Sequence, residues 1–174
     1  MKAADADLLF IPGRAGPDAD HWQSRWRQRL STARFVDLPD WSGEALAPAR
    51  AELIAAVRRA VRPAVLIAHA EGVGLVARAA ADLAPAGLAG RVAGAFLVAP
   101  AGATEAPRDP LPFPSLMAAS RNDPACDFAV AGDLALAWGS ALADAGEAGG
   151  LDAASGHGPW PEGLMRLAGF LAKL

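Results

Sequence analysis

Few side chains in this sequence can move a proton or attack a carbonyl, and they fall in short, separate stretches. "IAHAEGVG" at 67–74 sets His69 and Glu71 on either side of Ala70, "RNDPAC" at 121–126 carries Asp123 and the single cysteine, Cys126, and "SGHGPWPEG" at 155–163 carries His157. His21 stands beside Trp22, and Arg14 follows the first apolar run in "PGRAG". Glu71 has the chemistry of a general base or a nucleophile, but a carboxylate in the first turn of a helix is also what the helix dipole favours, and that is the plainer reading. His69, closing an apolar run, reads as a satisfied core histidine, and His21 as a capping and packing residue. Asp123 suits a turn in which its carboxylate accepts hydrogen bonds from its own backbone or from the 149–152 loop. Cys126 has no base near it in sequence and reads as a small apolar filler.

The elements that must position these groups follow from the hydrophobic pattern. Runs at 7–12, 34–38, 64–69, 92–99, 115–120 and 141–145 read as six strands, several without in/out alternation, as expected where both faces are covered. Between them lie helical stripes: Trp22, Trp26 and Leu30, with "DAD" at 18–20 as the cap; Leu53, Ile54, Val57 and Val61; Val73, Val76, Ala77, Ala80 and Leu83; Phe128, Ala131, Leu134 and Trp138; and Leu164, Leu167, Leu171 and Leu174 behind Pro161 at a first-turn position. Alternating strands and helices predict a three-layer α/β/α sandwich around about six parallel strands, within one domain over 1–174. Long Pro/Gly-rich segments at 100–114 and 146–161 exceed ordinary connections, as functional loops do. The expected pocket gathers 13–16, 70–72, 100–114, 121–126 and 146–160 at the carboxyl ends of the strands.

Composition narrows the classes of function. Net charge is −3 with arginines dispersed among acids, which gives no basic face for nucleic acid. No apolar run approaches the roughly 20 residues that cross a bilayer, so no membrane partner is expected. The start, with one Lys and two Asp ahead of a short apolar stretch, lacks a secretory pattern and points to the cytoplasm. One cysteine makes neither an internal disulfide nor a metal cluster, and neither metal nor cofactor is expected.

The turn at 68–72, "AHAEG", joins a strand directly to a helix with small residues, Ala68 and Gly72, two places either side of its centre. A nucleophile elbow, Gly-x-Ser-x-Gly, makes that demand. With "IPGRAGPDADHWQSRW", "VDLPDW", "FLVAP", "LPFPSLMAASRNDPAC", "AWGSALADAGEAG" and "ASGHGPWPEG", the chain resembles, over nearly its whole length, the small serine hydrolases of the retinoblastoma-binding-protein-nine type in the α/β-hydrolase superfamily. The resemblance implies a fold without a cap domain, an esterase-like activity and a Ser-Asp-His triad. Of that triad only the acid, Asp123, is matched. The serine falls on Ala70 and the histidine on Gly150, while Gly13, Arg14 and Glu71 fall at the oxyanion side of the pocket.

Losing nucleophile or base costs on the order of 10⁶ in kcat, leaving about 10³ to 10⁴ over water from the oxyanion hole and binding. Loss of both reads as natural divergence rather than as a substrate trap, which needs only the serine changed. The sequence therefore predicts a catalytically silent pseudo-hydrolase with a small-molecule ligand in the former acyl site. The alternatives are a hydrolase acting on small ester-like substrates through a rebuilt site, with Glu71 or His157 activating water, and a protein-interaction module whose pocket has filled in.

Overall fold

The computed structural model describes residues 1–39 and 46–174, and its described strands form one sheet, every pairing parallel. The strands are β1 (Asp7–Ile11), β2 (Ala33–Phe35), β3 (Ala64–His69), β4 (Val92–Val98), β5 (Ser115–Ala119) and β6 (Ala141–Asp144), in the spatial order β2-β1-β3-β4-β5-β6. The helices are α1 (Trp22–Arg29), α2 (Leu46–Arg59), α3 (Glu71–Leu83), α4 (Phe128–Trp138) and α5 (Pro161–Leu171). All six expected strands form, most with ends shifted by a residue or so; β1 stops before Pro12, which has no N–H to give to a ladder. The last two residues of "VDLPDW", Asp40 and Trp41, lie outside the described residues.

Successive residues of a strand point to opposite faces, and here both faces are covered. Leu9 and Ile11 enter one core with Leu53 and Val57 of α2, Val73 and Val76 of α3, and Leu134 and Trp138 of α4. Leu8 and Phe10 enter the other with Trp22 and Trp26 of α1 and Leu167 and Leu171 of α5. That division is the three-layer sandwich, and it explains why β1 and β3 read as unbroken apolar runs.

Three details depart from the sequence reading. Val61 is not part of the α2 stripe: it follows the helix and is 84% exposed, because the chain turns there to let its N–H reach the buried Asp7 carboxylate at 2.8 Å. The cap of α1 is His21 rather than the "DAD" acids; its Nδ1 accepts the Gln23 N–H, while Asp18 accepts the N–H groups of Asp20 and His21. Leu164 is partly exposed, so α5 buries mainly Leu167, Phe170 and Leu171.

The strand order places the switch point between β1 and β3: from β1 the sheet grows one way to β2, and from β3 the other way to β4. In open α/β sheets the crevice outside the carboxyl ends at such a point is where ligands bind. The loops after β1 and β3 therefore frame the region in which chemistry is to be sought.

Candidate functional site

At the end of β3 the backbone breaks sharply, with Ala70 at φ 50° and ψ −126°, and α3 begins at Glu71. An L-residue at positive φ carries strain of about 1–3 kcal/mol that the surroundings must enforce. They do so by contact. The Ala70 N–H donates to Val98 O at 3.0 Å, and its carbonyl accepts the Val73 N–H at 3.1 Å. Gly72 lies so close to β1 that a Cβ there would come within 2.5 Å of Ile11 O, and Ala68 is fully buried. The two small-residue demands read from the sequence are thus met by real steric limits, and the elbow keeps its shape around a methyl group.

The elbow opens on a cleft of about 260 Å³. Its walls are the loop after β1 (Gly13, Ala15, Gly16, Pro17, Asp18), the start of α1 (His21, Gln23), the elbow (His69, Ala70, Glu71) and Asp152, Ala153 and Ala154. The predicted convergence is therefore correct for 13–16, 70–72 and part of 146–160, while 100–114 and 121–126 come up to the cleft-lining residues without lining the cleft themselves. Within 100–114, Gly102 packs beside the Glu71 side chain, and farther along Pro107 O accepts from Trp138 Nε1 at 2.7 Å. Asp123 and Cys126 are not among the lining residues, but Asp123 is near enough to act on the charges of His69 and Asp152, which are.

Asp123 occupies the turn after β5 and accepts the Ala125 N–H at 2.9 Å, one of the two roles expected for it. The 149–152 loop is held instead by its neighbour: the Gly149 N–H donates to Asn122 Oδ1 at 2.8 Å. Burial pushes the Asp123 carboxyl above its ordinary value, against the Ala125 N–H and the nearby His69. Burial likewise raises the Cys126 thiol, assisted by the Asp123 and Asp127 carboxylates, which suits a packing role and not a thiolate nucleophile.

Gly150 lies beside the elbow. Its carbonyl accepts from His69 Nε2 at 2.8 Å, which fixes that histidine as the Nε2–H tautomer and leaves Nδ1 an acceptor. Burial lowers the His69 pKa, opposed by the Gly150 carbonyl and by Asp152, Asp123 and Glu71. Gly150 is not among the glycines at positive φ, and a Cβ there would meet only the Asp152 carboxylate, at 3.0 Å. The backbone at Gly150 has the geometry to carry a side chain.

Glu71 lines the cleft, and its Oε2 accepts the Arg14 N–H at 3.3 Å. Gly13 is packed on the same carboxylate, where a Cβ would lie 2.7 Å from Oε2. Arg14 also lines a neighbouring hollow with Phe35, Asp37 and Pro39. His157 is not among the cleft-lining residues; Ser155 Oγ stands 3.2 Å from its Nδ1 and its N–H donates to Asp152 O at 2.8 Å, a loop-shaping role.

Three residues of the cleft escaped the sequence reading as site residues. His21 stacks near His69, ring centroids 4.7 Å apart, and burial, reinforced by His69, lowers its pKa to about 4 against the pull of Asp18 and Asp152. Asp152 accepts the Ser155 N–H at 2.8 Å; desolvation alone would raise its carboxyl, but the Ser155 bonds and the two histidines hold it below the ordinary value. Its signal was the Asp-x-x-Ser spacing of a side-chain-capped turn. Gln23 is fully buried and donates through Nε2 to Ile11 O and Ile67 O, at 3.4 and 3.2 Å, a tertiary role that helix periodicity alone does not reveal.

The family model described as serine hydrolase matches residues 8–169. The chain belongs to the serine hydrolase family. This serine hydrolase relative is 33% identical to a YdeN-like hydrolase of Pectobacterium atrosepticum, with a TM-score of 0.85 over 95% of this chain and 90% of that one. It shares its fold with the YdeN gene product of Bacillus subtilis (16% identity, TM-score 0.74, 95% of this chain and 98% of that). The fold is shared as well with esterase 2 of Thermogutta terrifontis (15% identity, TM-score 0.66, 99% and 85%). No curated protein sequence matches the chain. Among the described residues, no helix is long and apolar enough to cross a membrane, and no group of three or more His, Cys, Asp or Glu is placed to hold a metal ion.

Proposed function

We propose that this chain is a catalytically silent member of the retinoblastoma-binding-protein-nine-type branch of the serine hydrolases, one that keeps its cleft for binding. The observation that carries the reading is the elbow itself. Ala70 stands at the mouth of the cleft in the strained geometry of a nucleophile position, and among the described residues that line the cleft there is no hydroxyl, thiol or amine to attack a carbonyl carbon. In this superfamily the oxyanion is held by the N–H after the nucleophile and by one from the loop after an early strand. Here the Arg14 N–H of such a loop already has the Glu71 carboxylate as its acceptor, which places negative charge where negative charge would have to develop. An open cleft of about 260 Å³ supports retained binding over a pocket that has filled in.

The test is hydrolysis of p-nitrophenyl esters. The unaltered protein is expected to show no rate above buffer, whereas Ala70→Ser with Gly150→His restores turnover, since the backbone at 150 accepts a side chain and Asp123 stands nearby. Adding Glu71→Ala to that pair removes the acceptor of the Arg14 N–H and raises the rate further, by about 10²-fold for a single freed oxyanion donor. A robust ester rate in the unaltered, rigorously purified protein overturns the proposal.

A further inference from the structure

The cleft has a one-sided chemistry. Asp18, Glu71 and Asp152 contribute carboxylates, and no lysine or arginine lines it among the described residues. The two histidines add no compensating charge, since burial keeps both toward the neutral form. His69 gives its Nε2–H to Gly150 O and so presents Nδ1 as an acceptor. The independent observation is Gln23. Two backbone carbonyls, Ile11 O and Ile67 O, can only accept, so the amide nitrogen must face them and the orientation of the amide is fixed. Its Oε1 is left buried with no hydrogen-bond partner, on a fully buried side chain that lines the cleft. A buried amide oxygen without a partner costs about 1–3 kcal/mol, and a donor brought by a ligand removes that cost.

Acceptors surround this space and cations are absent from its walls. A group with several N–H donors, no acceptor and a positive charge is the chemical complement, and a primary ammonium is the smallest that qualifies. A bare metal ion is not, because the carboxylates and histidines do not cluster as a ligand set among the described residues. We infer that the cleft binds the ammonium group of a small organic cation, held by Asp152 and Glu71 and by the free oxygen of Gln23. The inference rests on the reading that the cleft is a binding site, and it names the class of ligand.

The experiment is a titration of the full chain with benzylammonium and with two neighbours of its shape, neutral benzyl alcohol and anionic benzoate, followed by calorimetry and by ¹H–¹⁵N NMR of the Gln23 side-chain amide. Benzylammonium is expected to bind saturably, with Kd on the order of millimolar for so small a molecule, and to shift the Gln23 amide, while the other two bind more weakly. Asp152→Asn keeps an oxygen for the Ser155 N–H but removes the charge, and it should weaken benzylammonium about tenfold. Benzyl alcohol or benzoate binding as well as the cation, or an unchanged Kd in Asp152→Asn, overturns the cation inference while leaving a binding cleft in place. No saturable binding of any of the three overturns both readings together.

Discussion

At Ala70 the chain holds the strained turn of an elbow around a methyl group. The strained φ is imposed by Gly72 against Ile11 O and by the Val98 carbonyl, so replacing the central side chain leaves the turn unchanged. His21 offers a sharper measurement at this scale, because its role as cap and its titration can be separated. Facing it are the His69 and Trp22 rings and the carboxylates of Asp18 and Asp152. Its pKa is about 4 in the fold against an ordinary 6.5, so between those values the unfolded chain takes up a proton that the folded one refuses. The stabilisation is complete above pH 6.5 and is lost as pH falls toward 4, by at most about 3 kcal/mol. His21→Asn keeps an acceptor for the Gln23 N–H and removes the titration. Urea unfolding from pH 7 to 4 should show a shallower loss of stability in that variant, the remainder coming from His69 and, toward pH 4, from the carboxylates of Asp7 and Asp152; an unchanged slope contradicts the assignment.

Among the elements, the joint between β5 and the 146–150 segment anchors the loop that leads to Gly150 and the cleft-lining Asp152. Ser120, almost fully buried, donates to Asn122 Oδ1 at 2.8 Å and accepts the Ala148 N–H at 2.8 Å, and Asn122 in turn takes the Gly149 N–H. Ser120→Ala leaves that buried Ala148 N–H without its acceptor and should cost about 1–3 kcal/mol of stability by chemical denaturation; a loss below about 0.3 kcal/mol would show that the joint holds without it. The strands and helices were legible because a parallel sheet covered on both faces writes continuous apolar runs, and the elbow because its small residues answer a steric demand. What was not legible depends on contacts distant in sequence. Gln23 looks like one more helical residue until Ile67 is folded against it, and Asp152 like a loop acid until the His21–His69 pair stands beside it. The second anchor of 100–114 was hidden for the same reason, since nothing in its Pro-rich composition says that Pro107 meets Trp138.

For the molecule as a whole, family membership and the proposed silence rest on different parts of the chain. The sheet order, the switch point between β1 and β3 and the match over 8–169 place the chain among serine hydrolases, and these depend on backbone and core. The proposed loss of turnover rests instead on two positions, 70 and 150, whose side chains are a methyl group and a hydrogen atom. A cleft preserved at the switch point, acidic along its walls, is what remains for function to use. The most direct measurement is intact-mass spectrometry of the purified protein after exposure to a fluorophosphonate, a probe that adds covalently to an activated serine. The account predicts an unchanged mass for the natural chain and a single adduct for Ala70→Ser with Gly150→His; a stoichiometric adduct on the natural chain would contradict it.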